Sequence, residues 1–418
     1  MSKFVYIIGT ADTKLEELLW LKSCLCSASV DSHIIDVSTG SSNAFHVNNQ
    51  VDISAAQIAA YHPEGMDAVF CGERGKAVTA MATALARFLQ STVEDISGLI
   101  GIGGSGGTAL IASAMQTMPI GMPKLMVSTM ASGNVEGYVA GMDIAMLYTV
   151  TDLNGLNYLS RTILANAANM IAGAVNFAID HDHIQKPALG LTMFGVTTAC
   201  INQLVALLGE EYESLVFHAT GNGGTSMERL IEGRGIVGVL DITLTEVADL
   251  LFGGVLACNE TRLDCIAQTQ TPWVGSAGAL DMVNFSERNS IPERYAHRQF
   301  VEHNAQVTLM RTTPEENYQL GVWIGNKLNL CTGPVRFIIP EGGFSALDAP
   351  GQPFFDPNAR QAFAEGLEST VIPTAQRQII RTPHHINAPE FCSLVIEQFQ
   401  NVMQHQGTAY DSTPGKSL

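Results

Sequence analysis

Short apolar runs alternate with helix-patterned stretches. This predicts an α/β protein of two Rossmann-like lobes, each a mainly parallel sheet with helices on both faces. The chain has 418 residues, more than one hydrophobic core usually holds. Its apolar runs are short and end at glycine or polar residues, as buried parallel strands do. A polar, proline-ended stretch at 180–187 divides the chain into two parts of similar length and is the predicted linker.

The first predicted lobe covers residues 1–182. Leu15, Leu18, Leu19 and Leu25 recur at helical spacing after the first apolar run. A long apolar helix closes the lobe; Arg161 and three asparagines interrupt it, so it is predicted to be buried in protein and not in a membrane. The predicted strands are 4–9, 33–37, 67–71, 98–102 and 124–127, and the predicted helices are 13–28, 76–89, 108–118 and about 155–180.

The second predicted lobe covers residues 187–403 and repeats this alternation. The polar tail at 404–418, with its Gly and Pro, is expected to be disordered. The predicted strands are 188–193, 215–218, 236–240, 273–275, 335–339 and 377–380, and the predicted helices are 197–208, 225–232, 244–251, 314–328, 358–367 and 388–403.

Composition and net charge limit the classes of partner that this protein can bind. The net charge is −18 and no basic run occurs, so the cations that neutralise a nucleic-acid backbone are missing. Charged residues make up 15%, below the usual value of about 25%, which favours a surface buried again in an oligomer. The eight cysteines form no CxxC pair, and an apolar strand follows the first three residues directly. We therefore expect a cytoplasmic protein without a signal peptide or a membrane segment.

The run Gly101-Ile-Gly-Gly-Ser-Gly-Gly107 lies between a predicted strand and a predicted helix. Glycine lets an anion approach the N–H groups of a helix start, where the helix dipole adds about half a positive charge. The letters G-x-G-x-x-G fit, but no acid follows the next strand to bind a ribose, and no Lys-Ser/Thr follows the glycines. NAD binding is therefore disfavoured and a Walker loop is excluded. Phosphate binding remains, with a tight structural turn as the alternative.

Three further loops are expected at the same carboxyl edge of the first sheet. Lys14 can reach a phosphate from the first loop, although Asp12 or Thr13 can simply cap the helix there. Arg74 can clamp a phosphate from the third. The run 128–133 offers hydroxyl and N–H groups. Four such loops at one edge predict a nucleotide pocket.

The second lobe presents acids and histidines at its own edge. The loop His218-Ala-Thr-Gly-Asn-Gly-Gly224 resembles a second anion cradle. Two carboxylates with histidines could serve acid–base catalysis or hold a divalent metal. The alternative is structural: Asp241 caps a helix, Glu246 is solvated, and one of two adjacent histidines packs in the core. The residues that could meet there are His218, Asp241, Glu246, Glu341, His384 and His385.

With these motifs assembled, the chain resembles the ATP-binding, inhibitory half of the plant tobamovirus-resistance protein and the uncharacterised bacterial relatives of that protein. The matching stretches are long and span nearly the whole chain. They are Gly9-Thr-Ala-Asp-Thr-Lys14, 101–108, Leu191-Thr-Met-Phe-Gly-Val-Thr-Thr198, His218-Ala-Thr-Gly221, Leu240-Asp-Ile-Thr243, Thr245-Glu-Val-Ala-Asp249, Gly278-Ala-Leu-Asp-Met-Val-Asn-Phe285 and Ser345-Ala-Leu-Asp-Ala-Pro-Gly351.

The resemblance implies ATP in the first lobe and a homodimer, and it supplies no reaction. The plant protein continues into a further barrel-type domain, so inhibition of a viral replicase is not transferred and a separate partner enzyme is expected. No residue is assigned to a metal, and Mg²⁺ is expected as the companion of ATP. Carried over residue by residue, the nucleotide role falls on Thr10, Asp12, Lys14, Arg74, Gly103, Gly104, Ser105, Gly106, Gly107, Ser132 and Gly133.

Three functions follow as hypotheses. The first is an ATP-binding module that regulates or accompanies an enzyme. The second is an ATP-dependent enzyme for a small acidic or sugar-acid metabolite held in the second lobe, with Asp241, Glu246 and His384 as catalytic candidates. The third is a non-catalytic sensor of a small ligand.

Overall fold

The computed structural model describes residues 3–40, 49–179 and 186–404. The chain divides into two compact units, 1–182 and 183–418, and each is described by itself. Residues 180–185 of the predicted linker and residues 405–418 of the predicted tail lie outside the described residues. Within the described ranges, no helix is long and apolar enough to cross a membrane.

The first unit contains a five-stranded sheet in the order β2-β1-β3-β4-β5, with every pair parallel. Its strands are β1 (Phe4–Gly9), β2 (Ser32–Asp36), β3 (Ile96–Gly103), β4 (Lys124–Ser128) and β5 (Ala145–Tyr148). Its helices are α1 (Ala11–Ser27), α2 (Ala55–Ala59), α3 (Met66–Val69), α4 (Arg74–Ser91), α5 (Ser105–Met115), α6 (Glu136–Val139) and α7 (Tyr158–Asn176).

Both faces of this sheet are covered. Side chains of α1 and α7 bury one face with residues such as Leu21 and Leu164. The other face is buried by α2, α4 and α5, with Leu85 and Ile111 among the contacts. The structure confirms the predicted fold class for this unit, since the sheet is parallel and helices cover both of its faces. Such a sheet buries apolar residues on each side.

Two local predictions for the first unit differ from the structure, and some of its elements were not predicted. The predicted strand at 67–71 is wrong, because α3 occupies this stretch and Val69 is its buried residue. A short apolar run does not distinguish a strand from a buried helical turn. The helix α5 begins at Ser105, three residues before the predicted start, so the last glycines of the run form its first turn. The edge strand β5 and the short helices α2 and α6 were not predicted.

The second unit contains a six-stranded parallel sheet in the order β14-β13-β9-β8-β6-β7 and a separate antiparallel sheet in the order β10-β12-β11. The strands are β6 (Ala188–Met193), β7 (Glu213–His218), β8 (Gly238–Thr243), β9 (Trp273–Gly278), β10 (Met282–Phe285), β11 (Phe300–Asn304), β12 (Val307–Arg311), β13 (Val335–Pro340) and β14 (Arg377–Thr382). The helices are α8 (Thr198–Leu208), α9 (Asn222–Glu232), α10 (Thr245–Phe252), α11 (Asp264–Thr269), α12 (Pro314–Leu330), α13 (Pro357–Thr370) and α14 (Pro389–Gln404).

Helices again cover both faces of the larger sheet. Apolar side chains of α8 and α14 pack on one face, and those of α9 to α13 on the other. The fold class is thus confirmed for the second unit as well. The small antiparallel sheet was not predicted, since β11 carries Glu302, His303 and Asn304, all exposed, and shows little apolar patterning.

Candidate functional site

A cavity of about 770 Å³ opens at the carboxyl edge of the first-unit sheet. This volume lies within the roughly 300–1,000 Å³ typical of small-molecule sites. Of the eleven residues predicted to bind the nucleotide, nine line it: Thr10, Asp12, Lys14, Arg74, Gly103, Gly104, Ser105, Gly106 and Gly107. The other two, Ser132 and Gly133, lie exposed in the turn after β4 and are not among the lining residues.

Sequence reasoning missed part of the lining. Thr39 and Gly40, which follow β2, and Asp152, which follows β5, were not predicted, whereas Thr129 and Met130 lie in the predicted loop 128–133 after β4. The parallel strands bring these loops to one edge although they are far apart along the chain. The cavity therefore reaches across all five strands. It includes the point between β1 and β3 where the strand order reverses, which is where ligands bind in open α/β sheets.

The glycines of the run 101–107 are required for two different reasons. A Cβ atom at Gly103 would lie 2.8 Å from backbone atoms of Gly107 and Thr108, and one at Gly101 would lie 2.6 Å from Ile111. These two positions need glycine because helix and strand pack closely. At Gly104, Gly106 and Gly107 the nearest atoms would be 3.7–4.0 Å away. Protein packing does not require glycine at these three positions, and the absence of side chains leaves room for a ligand to approach the backbone.

The first turn of α1 is already occupied by an internal acid. Asp36, buried at the end of β2, accepts hydrogen bonds from the N–H of Ala11 (2.9 Å) and from Ser38. The Ser38 hydroxyl in turn accepts the N–H of Asp12 at 3.2 Å. Asp36 was not predicted as a site residue, although an acid at the end of an apolar strand was visible in the sequence. It holds the loop that presents Thr10 and Asp12.

The first turn of α5 has no such acid. No side chain caps this helix, and no acceptor is recorded for the N–H groups of Ser105, Gly106 and Gly107 within the described ranges. All three residues line the cavity. Because a helix start carries about half a positive charge, it is the natural place for an anion in this unit.

The two predicted phosphate-binding cations differ in their surroundings. Lys14 lines the cavity, but its Nζ donates a hydrogen bond to the carbonyl oxygen of Leu153 at 2.7 Å. Arg74 is exposed in the first turn of α4, and its Nη2 would lie 4.0 Å from a Cβ atom at Gly106. Arg74 is thus the cation beside the open helix start, whereas Lys14 ties α1 to the loop after β5.

The predicted second anion cradle is filled by the protein itself. The N–H of Gly221, at the start of α9, donates to Oε2 of Glu246 at 2.7 Å. A Cβ atom at Gly224 would lie 2.2 Å from Oε1 of the same carboxylate. The buried Glu246 therefore takes the position that an external anion would need.

Asp241 and Glu246 belong to a buried cluster around Arg262. The Arg262 guanidinium bonds Asp241 through Nη2 (2.8 Å), Glu246 through Nε (2.6 Å) and Glu228 through Nη1 (2.9 Å). Asp241 and Glu246 are fully buried, so the alternative of a solvated Glu246 is wrong. Burial raises the pKa of the Glu246 and Glu228 carboxyls above their usual range. Arg262 was missed because nothing near it in the sequence suggests a partner.

The other second-unit candidates lie in different surroundings. His384 is half-buried, and Glu341 is exposed and pairs with Arg381 at 3.0 Å. His385 accepts the N–H of Asn387 at Nδ1 (3.0 Å), so its Nε2 donates to the Ser345 carbonyl oxygen (2.9 Å). Both ring nitrogens of His385 are thus used in bonds to the backbone, which gives this side chain a structural role. His218 is exposed beside the ring of Phe194.

A second buried acid group was also missed. Asp281 and Asp348 are both fully buried near Arg311, and Ser345 donates to Asp281 at 2.7 Å. Burial, with the nearby charge of Asp348, raises the pKa of Asp281 to about 7. In the parts of the chain that the structure describes, no group of three or more His, Cys, Asp or Glu side chains could hold a metal ion.

Comparison with known proteins gives matches over both units. The model of the uncharacterised protein family UPF0261 matches in two parts, its N-terminal domain at residues 3–180 and its C-terminal domain at residues 186–403. A UPF0261 protein of Rhizobium meliloti (strain 1021) is 50% identical over 401 residues, which cover 96% of this chain and 99% of that protein.

More distant relatives include a plant protein. The ToMV resistance protein Tm-1(GCR237) of Solanum lycopersicum is 41% identical over 418 residues, covering 95% of this chain and 55% of the tomato protein. A UPF0261 protein of Clostridium tetani (strain Massachusetts / E88) is 40% identical over 408 residues, covering 97% of this chain and all of that protein.

Proposed function

Since the chain belongs to the uncharacterised protein family UPF0261, we propose a function from its own site: the first unit binds ATP. The protein would then act as a regulatory or enzyme-associated module. One observation carries the proposal. Gly104, Gly106 and Gly107 leave the start of α5 open to a cavity, and packing gives no reason for glycine at these positions.

The phosphates would bind at the start of α5. Backbone N–H groups there donate to phosphate oxygens, and the helix dipole favours negative charge. Arg74 lies beside Gly106 and can pair with a phosphate in bidentate fashion. The protein as a whole carries a charge of −18, so these local donors must offset an unfavourable field.

The width of the cavity supports a nucleotide over a single phosphate. Its lining runs from the loop after β2 to the loop after β5, which is four strand spacings. At about 4.8 Å per spacing the site spans roughly 19 Å. An extended nucleoside triphosphate has comparable length. Ala77 and Val78 of α4 and Met130 add apolar surface suited to a base.

Further parts of the proposal rest on the resemblance. Mg²⁺ would accompany ATP on its phosphate oxygens, a second copy of the chain would form a homodimer, and a separate enzyme would be the partner. The resistance that the tomato relative's name states is not transferred, because this chain matches 55% of that protein. The enzyme and sensor alternatives remain predictions, since the fully buried Asp241 and Glu246 add no observation that favours catalysis.

The change Gly106→Ala tests the phosphate site. We expect at least about tenfold weaker ATP binding by calorimetry, because the new methyl group projects into the space where a phosphate approaches. The thermal midpoint should stay equal or rise slightly, since alanine is the better helix former. Gly173→Ala in α7 is the matched control, since its Cβ atom would also meet open space.

Two outcomes would contradict the proposal. One is the absence of ATP binding by the unaltered protein at millimolar concentration. The other is equal ATP affinity of the Gly106→Ala and Gly173→Ala proteins.

A further inference from the structure

The segment 149–155, after β5, is fixed at the cavity by two charged residues of α1. Lys14 Nζ donates to the Leu153 carbonyl oxygen at 2.7 Å. The buried carboxylate of Glu17 accepts the N–H of Gly155 at 2.9 Å. Asp152 directly precedes Leu153, the first of these two anchored residues, and is among the residues that line the cavity. Its position is therefore set by the tertiary structure and not by the loop alone.

The backbone of this segment is strained. Val150 has φ of +63° and is 58% exposed. A β-branched residue in the left-handed region is an outlier with a cost of about 1–2 kcal/mol. Because the Val150 side chain is exposed, its own packing does not offset this cost. Strain of this kind persists where the surroundings enforce it, and it clusters at ligand sites. Here the strained residue Val150 lies in the connection between β5 and Asp152.

A carboxylate in a phosphate-binding cavity needs an explanation, because it repels the phosphates. Asp152 accepts the N–H of Leu153 at Oδ1 (2.9 Å), and no partner is recorded for its Oδ2 in the described ranges. The oxygen can accept a hydrogen bond from a ligand hydroxyl, or it can bind a metal ion shared with a phosphate.

The number of oxygens that each role requires distinguishes them. A metal ion binds several oxygens at once, whereas a ligand hydroxyl needs a single acceptor. Among the described residues, no group of three or more His, Cys, Asp or Glu side chains could hold a metal ion. Oδ2 of Asp152 therefore suits a hydroxyl of the sugar.

We propose that Asp152 accepts hydrogen bonds from the ribose hydroxyls of the nucleotide and so selects ribonucleotides. The inference rests on the proposed nucleotide site and adds the sugar to it. It makes Asp152 a specificity residue, and it makes Lys14 and Glu17 positioning residues that hold the segment carrying it.

Calorimetric titration of the full chain with three probes tests the inference: ATP, 2′,3′-dideoxyATP and tripolyphosphate, each with Mg²⁺. The unaltered protein should bind ATP at least tenfold more tightly than dideoxyATP, since a hydrogen bond to a charged acceptor is lost. Asp152→Ala should lower ATP affinity to about that of dideoxyATP. Tripolyphosphate should bind this variant equally well or more tightly, because a negative charge has been removed.

Asp31→Ala is the matched control: it removes an exposed carboxylate just before β2, at the opposite edge of the sheet, and should leave all three affinities unchanged. Equal binding of ATP and dideoxyATP by the unaltered protein would overturn the inference while leaving the ATP site intact. Loss of tripolyphosphate binding in Asp152→Ala would also overturn it and would assign a metal-binding role. Failure of the unaltered protein to bind ATP or tripolyphosphate would instead reject the proposed function itself.

Discussion

Gly103 and Gly106 lie three positions apart in one glycine run and differ in what they require. At Gly103 a side chain would meet the backbone of Gly107 and Thr108, so the residue is fixed by folding. At Gly106 the space ahead belongs to the cavity, and Arg74 is the nearest neighbour. Substitutions at the two positions therefore separate effects on stability from effects on binding. The G-x-G-x-x-G sequence motif alone does not distinguish these two positions.

The buried Asp281 predicts how the stability of the protein depends on pH. Burial raises its pKa from 3.8 to about 7, so the folded state holds a proton that the unfolded chain releases. This contribution to stability is present below pH 3.8 and is lost as the pH rises through about 7. Asp281→Asn stays neutral, so its unfolding free energy should gain about 2 kcal/mol relative to the unaltered protein between pH 5.5 and 8.5.

Urea unfolding at the two pH values measures this difference. Asp31→Asn makes the same change of charge at an exposed position and should show no such gain. If Asp281→Asn follows the pH dependence of the unaltered protein, Asp281 is already ionised in the folded state and the prediction is wrong.

At the scale of elements, internal acids close two of the helix starts that the sequence marked as anion sites. Asp36 occupies the start of α1, and Glu246 occupies the start of α9. No acid is recorded at the start of α5 in the described residues. Three loops that the sequence predicts as phosphate or anion sites thus form an internally bonded turn in two places and an open site in the third.

Arg262 joins β8, α9 and α10 through Asp241, Glu228 and Glu246. Arg262→Ala would leave these three carboxylates buried without their cation. We expect a loss of about 3–5 kcal/mol in unfolding free energy, measured by urea titration. Arg381→Ala is the control: Arg381 pairs with Glu341 and Glu368 at partly exposed positions, and its loss should cost about 1 kcal/mol or less. Equal losses in the two variants would show that the Arg262 cluster is not what holds these elements together.

At the scale of the whole molecule, both parallel sheets use the same strand order. In each unit the first two strands lie side by side with the second strand at the edge, and the later strands follow on the other side of the first. Each unit therefore has one reversal point, between its first and third strands. The first unit has its cavity there. In the second unit, Asp241 of the third strand, β8, belongs to the buried Arg262 cluster.

The net charge of the protein predicts how salt changes the rate at which ATP binds. The protein and ATP are both anionic, so their long-range repulsion should weaken as salt screens it. We expect the association rate of a fluorescent ATP analogue to rise about two- to fivefold between 10 and 200 mM salt, measured by stopped flow. A fluorescent analogue of uncharged adenosine is the control and should show no change. A rate that falls with salt would mean that Arg74 and the start of α5 dominate the electrostatic field at the binding site.

The sequence by itself determined the fold class, because the strand and helix periods follow directly from which residues must be buried. It also indicated the glycine run and most of the residues that line the cavity, since parallel strands carry their following loops to one edge. It failed at 67–71, where a short apolar run suits a helical turn as well as a strand. Tertiary structure decided which glycines are free for a ligand and which acids are buried. Asp36, Asp152 and Arg262 acquire their roles from partners distant along the chain, and no local pattern records those contacts.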